Sequence, residues 1–211
     1  KGLVLVPVRS ENKELRSILQ ELEANGTAVV LTEKDVKNAG MDGVFADEFR
    51  GAYEGICRLV EKGCKKIAII LGQPEMDAVT EERYRGCLQS LEDNGISGAE
   101  KMVLREAEDL SRVFQGKKLP DAFLALNQIA ADQCIRELFK CKKVGMEKII
   151  FMGMDAENTV QVLGDEMISV EKDRRKQGKE AVKLLLEAFD AEENDRIRGK
   201  RIMIPYKVTG V

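Results

Sequence analysis

Residues 59–72 read LVEKGCKKIAIILG, and this stretch decides the fold. Its first half closes an amphipathic segment. Ala52, Ile56, Leu59 and Val60 recur there at helical spacing, and Gly63 ends the last turn. Its second half, Ile67 to Leu71, is an unbroken apolar run that reads as a strand. Apolar runs without alternation mark strands buried on both faces, as in a parallel sheet covered by helices. A helix feeding such a strand is the repeat of a doubly wound α/β fold.

The same alternation extends in both directions. Toward the N-terminus, LVLV (3–6), AVVL (28–31) and the pair Val44-Phe45 read as strands. Between the first two, Leu15, Ile18, Leu19 and Leu22 mark a helix closed by Asn25-Gly26. Toward the C-terminus, Tyr84, Leu88 and Leu91 mark a helix that stops at Asn94-Gly95. AFLAL (122–126) reads as a strand followed by a helix over about 128–139, and IIFM (149–152) as another strand. A long helix over about 173–191 turns Ala181, Val182, Leu184, Leu185 and Ala188 inward, and RIMIPYKV (201–208) reads as one closing strand.

Composition narrows the function. The 211 residues carry 34 Lys and Arg against 37 Asp and Glu, a net charge of -3, so this chain presents no basic field to hold DNA by itself. It has no His, which removes Ser-His-Asp and Cys-His catalysis and His-bound metals. Neither the phosphate-loop pattern nor G-x-G-x-x-G occurs, so an enzymatic reading has little to rest on. The five Cys are odd in number and none is spaced C-x-x-C; they read as reduced structural thiols of a cytoplasmic protein. No apolar run approaches the roughly 18 residues of a membrane-spanning helix. Lys65-Lys66, Lys142-Lys143 and Arg174-Arg175-Lys176 read as solvated helix ends and turns.

In open α/β sheets, ligands bind beyond the carboxyl ends of the strands. Glu33 follows AVVL there, Gly72-Gln73-Pro74 follows IAIIL, Asn127 follows AFLAL and Asp155 follows IIFMGM. Carboxylates and an amide suit a small ligand with several hydroxyls. On spacing alone, Asn127 and Asp155 read first as N-caps of the helices that follow them.

Several stretches together carry a family resemblance: DEFRG (47–51), LVEKGCKKIAIILG, EERYRGCLQSLEDNGI (81–96), PDAFLALNQIAAD (120–132), IIFMGMDAE (149–157) and DRRKQGKEAVKLLLE (173–187). This combination resembles the effector-binding, periplasmic-binding-protein-like domain of lactose-repressor-type (LacI/GalR) transcription regulators. The resemblance implies two subdomains, one from residues 1–46 with 173–196 and one from 47–171 with 200–211. It implies a sugar or related metabolite bound in the cleft between them, a homodimer, and no cofactor and no enzymatic activity. Operator DNA would be met only through a helix-turn-helix that precedes this region. By the same resemblance the chain is a piece of a regulator of roughly 330 residues, lacking about sixty residues of the effector domain. A periplasmic-type solute-binding protein shares the fold and is the alternative.

The implied effector contacts are Arg83, Asn127, Asp155 and, less securely, Glu33. Arg83 is expected partly exposed in the cleft, and Asp155→Asn is expected to weaken the effector without harming folding. The chain departs from the family pattern at Asn127-Gln128 for Asn-Asp, Asp155-Ala156 for Asp-Asp and Asp47-Glu48 for Asp-Asn. Phe49, Tyr53, Phe151 and Tyr206 are the aromatics near the implied site. For the dimer, a helix over about 73–94 and another over about 127–140 would present Met76, Val79, Cys87 and Leu88 outward.

Overall fold

A computed structural model describes residues 1–8, 11–98, 102–116, 118–141, 148–156, 159, 167–190 and 198–210. The chain forms two compact units: Lys1–Asp47 with Asp173–Pro205, and Glu48–Lys172 with Tyr206–Val211. It passes from one to the other after Asp47, after Lys172 and after Pro205.

The first unit is a four-stranded sheet in the order β1-β2-β3-β9, all parallel. Its strands are β1 (Gly2–Leu5), β2 (Ala28–Thr32), β3 (Asp42–Ala46) and β9 (Arg201–Ile204). Two helices cover it, α1 (Lys13–Ala24) and α6 (Arg174–Asp190). Alternate residues of β2 go to opposite faces. Val29 and Leu31 join Leu19 of α1 in one buried cluster, while Val30 joins Ala181 and Leu184 of α6 in another. Both faces are therefore covered, and the run AVVL is apolar throughout for that reason. Asn12 caps α1, its Oδ1 accepting the Leu15 amide at 2.9 Å. The Arg174-Arg175-Lys176 run forms the exposed first turn of α6, where Asp173 accepts the Lys176 amide.

The second unit has six strands in the order β10-β8-β7-β6-β4-β5. They are β4 (Ile67–Ile70), β5 (Val103–Leu104), β6 (Ala122–Ala125), β7 (Ile150–Met154), β8 (Met167–Lys172) and β10 (Tyr206–Thr209). All pair in parallel except β10, which runs antiparallel to β8 with Tyr206 opposite Lys172. On one face, α4 (Ala107–Gln115) and α5 (Gln128–Lys140) bury Leu110, Phe114, Ala131 and Cys134 over Ile70, Phe123 and Phe151. Phe151 is a core residue there, its ring 5.7 Å from that of Phe123. Helix α2 (Glu48–Glu61) lies over Met152 and Val170, and α3 (Ala78–Asp93) packs on α2.

The observed elements correct several expectations. RIMIPYKV is not one strand. Pro205, which has no N–H to give a ladder, divides it; Arg201–Ile204 pair with β3 in the first unit and Tyr206–Thr209 with β8 in the second. Residues 200–205 therefore leave the second subdomain. Strands β5 and β8 and helix α4 were not anticipated, although Leu110, Val113 and Phe114 hold helical spacing. Helix α3 begins at Ala78 rather than near residue 73, because the Asp77 side chain caps it through the Thr80 amide. Lys142-Lys143 and the end of the long C-terminal helix beyond Asp190 lie outside the described residues.

The buried face of α3 also differs from the apolar spacing. Thr80, Arg83, Gly86, Cys87, Ser90 and Leu91 face inward, while Tyr84 and Leu88 are half-buried. Cys87 is fully buried and cannot contribute to an outward apolar surface. Burial pushes its thiol pKa up, and that of Cys134 up to about 12. The reason for the rotation is Gly86. A Cβ there would stand 2.1 Å from the Phe49 carbonyl oxygen, so the two helices approach through it. Gly86→Ala must push α3 off α2 and is expected to cost about 1–3 kcal/mol, read as a lower urea midpoint with an unchanged slope.

Candidate functional site

The close approach at Gly86 carries Arg83, one helical turn earlier, toward the first turn of α2. Its guanidinium is 3% exposed and makes four contacts. Nε donates to Glu48 Oε2 at 2.6 Å, and Nη1 donates to the Leu126 carbonyl at 2.5 Å. Nη2 donates to Asp155 Oδ2 and to the Tyr206 hydroxyl, the latter at 2.7 Å. Each partner arrives from a different element. Glu48 opens α2, Leu126 follows β6, Asp155 follows β7 and Tyr206 opens β10. The antiparallel pairing of β10 brings its start to the carboxyl end of β8, where Lys172 stands. Lys172 Nζ lies 3.1 Å from Glu48 Oε1 and 3.4 Å from Asp155 Oδ2.

Two further features set this geometry. A Cβ on Gly51 would sit 2.4 Å from the Tyr206 ring, so the missing side chain lets the tyrosine lie against α2. Its hydroxyl then gives its proton to Glu48 Oε2 at 2.5 Å, with Asp155 Oδ2 at 3.2 Å. Asp155 leaves β7 with φ 49°, a left-handed conformation that Asp tolerates better than most residues. Its Oδ1 takes the Lys172 amide at 3.4 Å.

The electrostatics follow from burial and pairing. Burial alone would lower the Arg83 pKa, but Glu48, Tyr206 and Asp155 outweigh it, and the guanidinium is held above its ordinary value. Burial raises the Tyr206 pKa, Arg83 opposes this, and Glu48 and Asp155 add to the rise, so the phenol stays protonated as a donor.

The four expected contact residues are therefore placed differently. Arg83 and Asp155 meet directly, but Arg83 is buried and paired rather than partly exposed, because four acceptors converge on it. Asn127 is the cap of α5. Its Oδ1 accepts the Ala130 amide at 2.9 Å and its Nδ2 donates to the Leu71 carbonyl at 2.9 Å, tying the head of α5 to the end of β4. It does not touch Arg83; the neighbouring Leu126 carbonyl does. Glu33 lies in the first unit, half-buried directly after β2 with φ 64°.

Glu48, Lys172 and Tyr206 were not among the expected contacts. Glu48 was legible as a departure from the family pattern and Tyr206 as an aromatic near the implied site. Lys172 ends a strand the sequence did not reveal and carried no signal. The cluster offers carboxylates, an ammonium and a hydroxyl, groups that can hydrogen-bond a polar molecule.

Asp155→Asn keeps the shape and the tolerance of positive φ but removes a charge from a buried pair. It is expected to destabilise the chain by about 3 kcal/mol, measured by urea unfolding. The buried pairing with Arg83 is the reason to expect a loss where the sequence alone suggested none.

The periplasmic binding protein-like domain family matches residues 56–209. Among curated proteins, the chain is 27% identical over 169 residues to the NTD biosynthesis operon regulator NtdR of Bacillus subtilis, covering 77% of this chain and 50% of that protein. It is 29% identical over 159 residues to the HTH-type transcriptional repressor PurR of Haemophilus influenzae, covering 71% and 46%. The chain thus spans about half the length of these relatives. Among solved structures, a LacI-family regulatory protein from Chloroflexus aggregans superposes with a TM-score of 0.79 at 18% identity, covering 98% of this chain and 74% of that one. A LacI-family regulator from Enterococcus faecium with bound ribose gives 0.76 at 17% identity, covering 98% and 77%. These likenesses show a shared fold.

Proposed function

The chain belongs to the periplasmic binding protein-like domain family, and from this we propose that it senses a small polar effector within a LacI-type transcription repressor. The observation that carries the reading is the polar cluster of Arg83, Glu48, Asp155, Lys172 and Tyr206. It stands at the carboxyl ends of β7 and β8, where doubly wound sheets take their ligands. A sugar or related metabolite suits it, since carboxylates accept from hydroxyls. One regulator of this fold holds ribose. Asp155 is the group proposed to meet the effector, with Arg83 behind it as a positioning residue. Asn127 shapes the adjoining strand end, and Glu33 is proposed as an effector contact on the family resemblance alone.

The effector acts through its different affinity for two arrangements of the regulator, and no catalysis is needed. Operator DNA would be bound by a head outside this sequence, in a cytoplasmic homodimer. Ile129 and Phe139 are exposed on α5, and Met76, just before α3, and Val79 and Leu88 on it are half-buried. Such apolar area is what a second copy would cover. No described helix is long and apolar enough to cross a membrane.

Thermal unfolding of the full protein with sugars, sugar phosphates and nucleobases tests the reading. A compound present at 100 times its Kd should raise the Tm by about 5 °C or more. A protein indifferent to every class in the panel contradicts it.

A further inference from the structure

The cluster in the second unit balances its charges internally. Arg83 and Lys172 bring two positive charges, Glu48 and Asp155 two negative ones. Their side chains are 3%, 6%, 10% and 13% exposed. Both cations contact both carboxylates. Glu48 does more than pair with one of them, because it bridges the two. Its Oε2 takes the Arg83 Nε at 2.6 Å and the Tyr206 hydroxyl at 2.5 Å, while its Oε1 faces the Lys172 ammonium at 3.1 Å. A guanidinium edge and a phenol donate to this carboxylate and an ammonium pairs with its other oxygen, and such groups would otherwise hold a carboxylate or phosphate from outside.

We infer that the Glu48 carboxylate is a built-in anion occupying the position between Arg83 and Lys172, and that it restricts the effector of this domain to uncharged compounds. The second half of the inference rests on the sensing role proposed above; the first half stands without it. A further anion drawn to this place would meet two carboxylates in a buried setting whose cations are already neutralised, and it would shed its hydration without compensation. An uncharged polyol has no such penalty, and Asp155, at 13% exposed, is the most accessible of the four charged groups to its hydroxyls. Glu48 is thus a specificity-determining residue.

Chemical rescue tests the built-in anion. The full chain is compared as wild type, Glu48→Ala and Glu48→Gln, by thermal unfolding in sodium acetate or sodium phosphate against sodium chloride of equal ionic strength. Glu48→Ala should lose stability and regain it saturably with acetate, by about 4 °C at ten times the acetate Kd. Wild type should move by less than about 1 °C. Glu48→Gln fills the position without a charge and should respond to neither anion beyond wild type. If the alanine variant does not fold in chloride, its refolding from urea is followed instead, and recovery in acetate but not in chloride is expected. An alanine variant that gains nothing from acetate, folded or refolding, or a wild type that itself binds acetate or phosphate saturably, overturns the inference.

The effector class is read separately, with D-ribose and D-ribose 5-phosphate on the wild type. Stabilisation by the phosphate ester beyond that by the free sugar overturns the restriction while upholding the sensing role. A wild type that ignores both counts against the sensing role, and the acetate and phosphate series still decides what Glu48 does.

Discussion

The second unit is organised around one guanidinium. Arg83 collects partners from α2, β7, β10 and the turn after β6, elements up to 123 residues apart in the chain. A buried arginine without partners costs several kcal/mol, so each of these elements must be in place before the charge can be. The requirement runs outward. Gly86 lets α3 reach α2, and Gly51 lets Tyr206 lie against α2. Pro205 separates two strands so that Tyr206 can open β10 opposite Lys172. Remove any of these and the cluster has a charge without its complement.

This explains which parts of the molecule could be read in advance. Strands covered on both faces show themselves as apolar runs, and β2, β4 and β6 fall within a residue or two of where AVVL, IAIIL and AFLAL place them. β8 shows why others do not. Its burial weakens along its length, ending in Val-Glu-Lys, because its carboxyl end carries the cluster rather than the core. The α3 face was misread for a related reason. Its buried stripe is Thr, Arg, Gly, Cys, Ser and Leu, small or charged residues chosen by a close helix approach and an ion cluster, so hydropathy points to the wrong side.

The site was half legible. Arg83 and Asp155 could be picked out by motif, and they do meet. What motif could not convey is that Arg83 is spent on internal partners, because that depends on Glu48, a substitution whose effect appears only when α2 and α3 are packed. At Asn127 the simpler reading accounts for one hydrogen bond, the cap on Ala130, while its amide ties the head of α5 to the end of β4.

These residues act as one cooperative unit rather than as independent surface charges. A double-mutant cycle measures this most directly, with Glu48→Gln, Tyr206→Phe and the double variant unfolded in urea. The two groups touch at 2.5 Å and share Arg83, so a coupling of at least about 1 kcal/mol is predicted. Additivity of the two single effects to within about 0.5 kcal/mol would contradict the account.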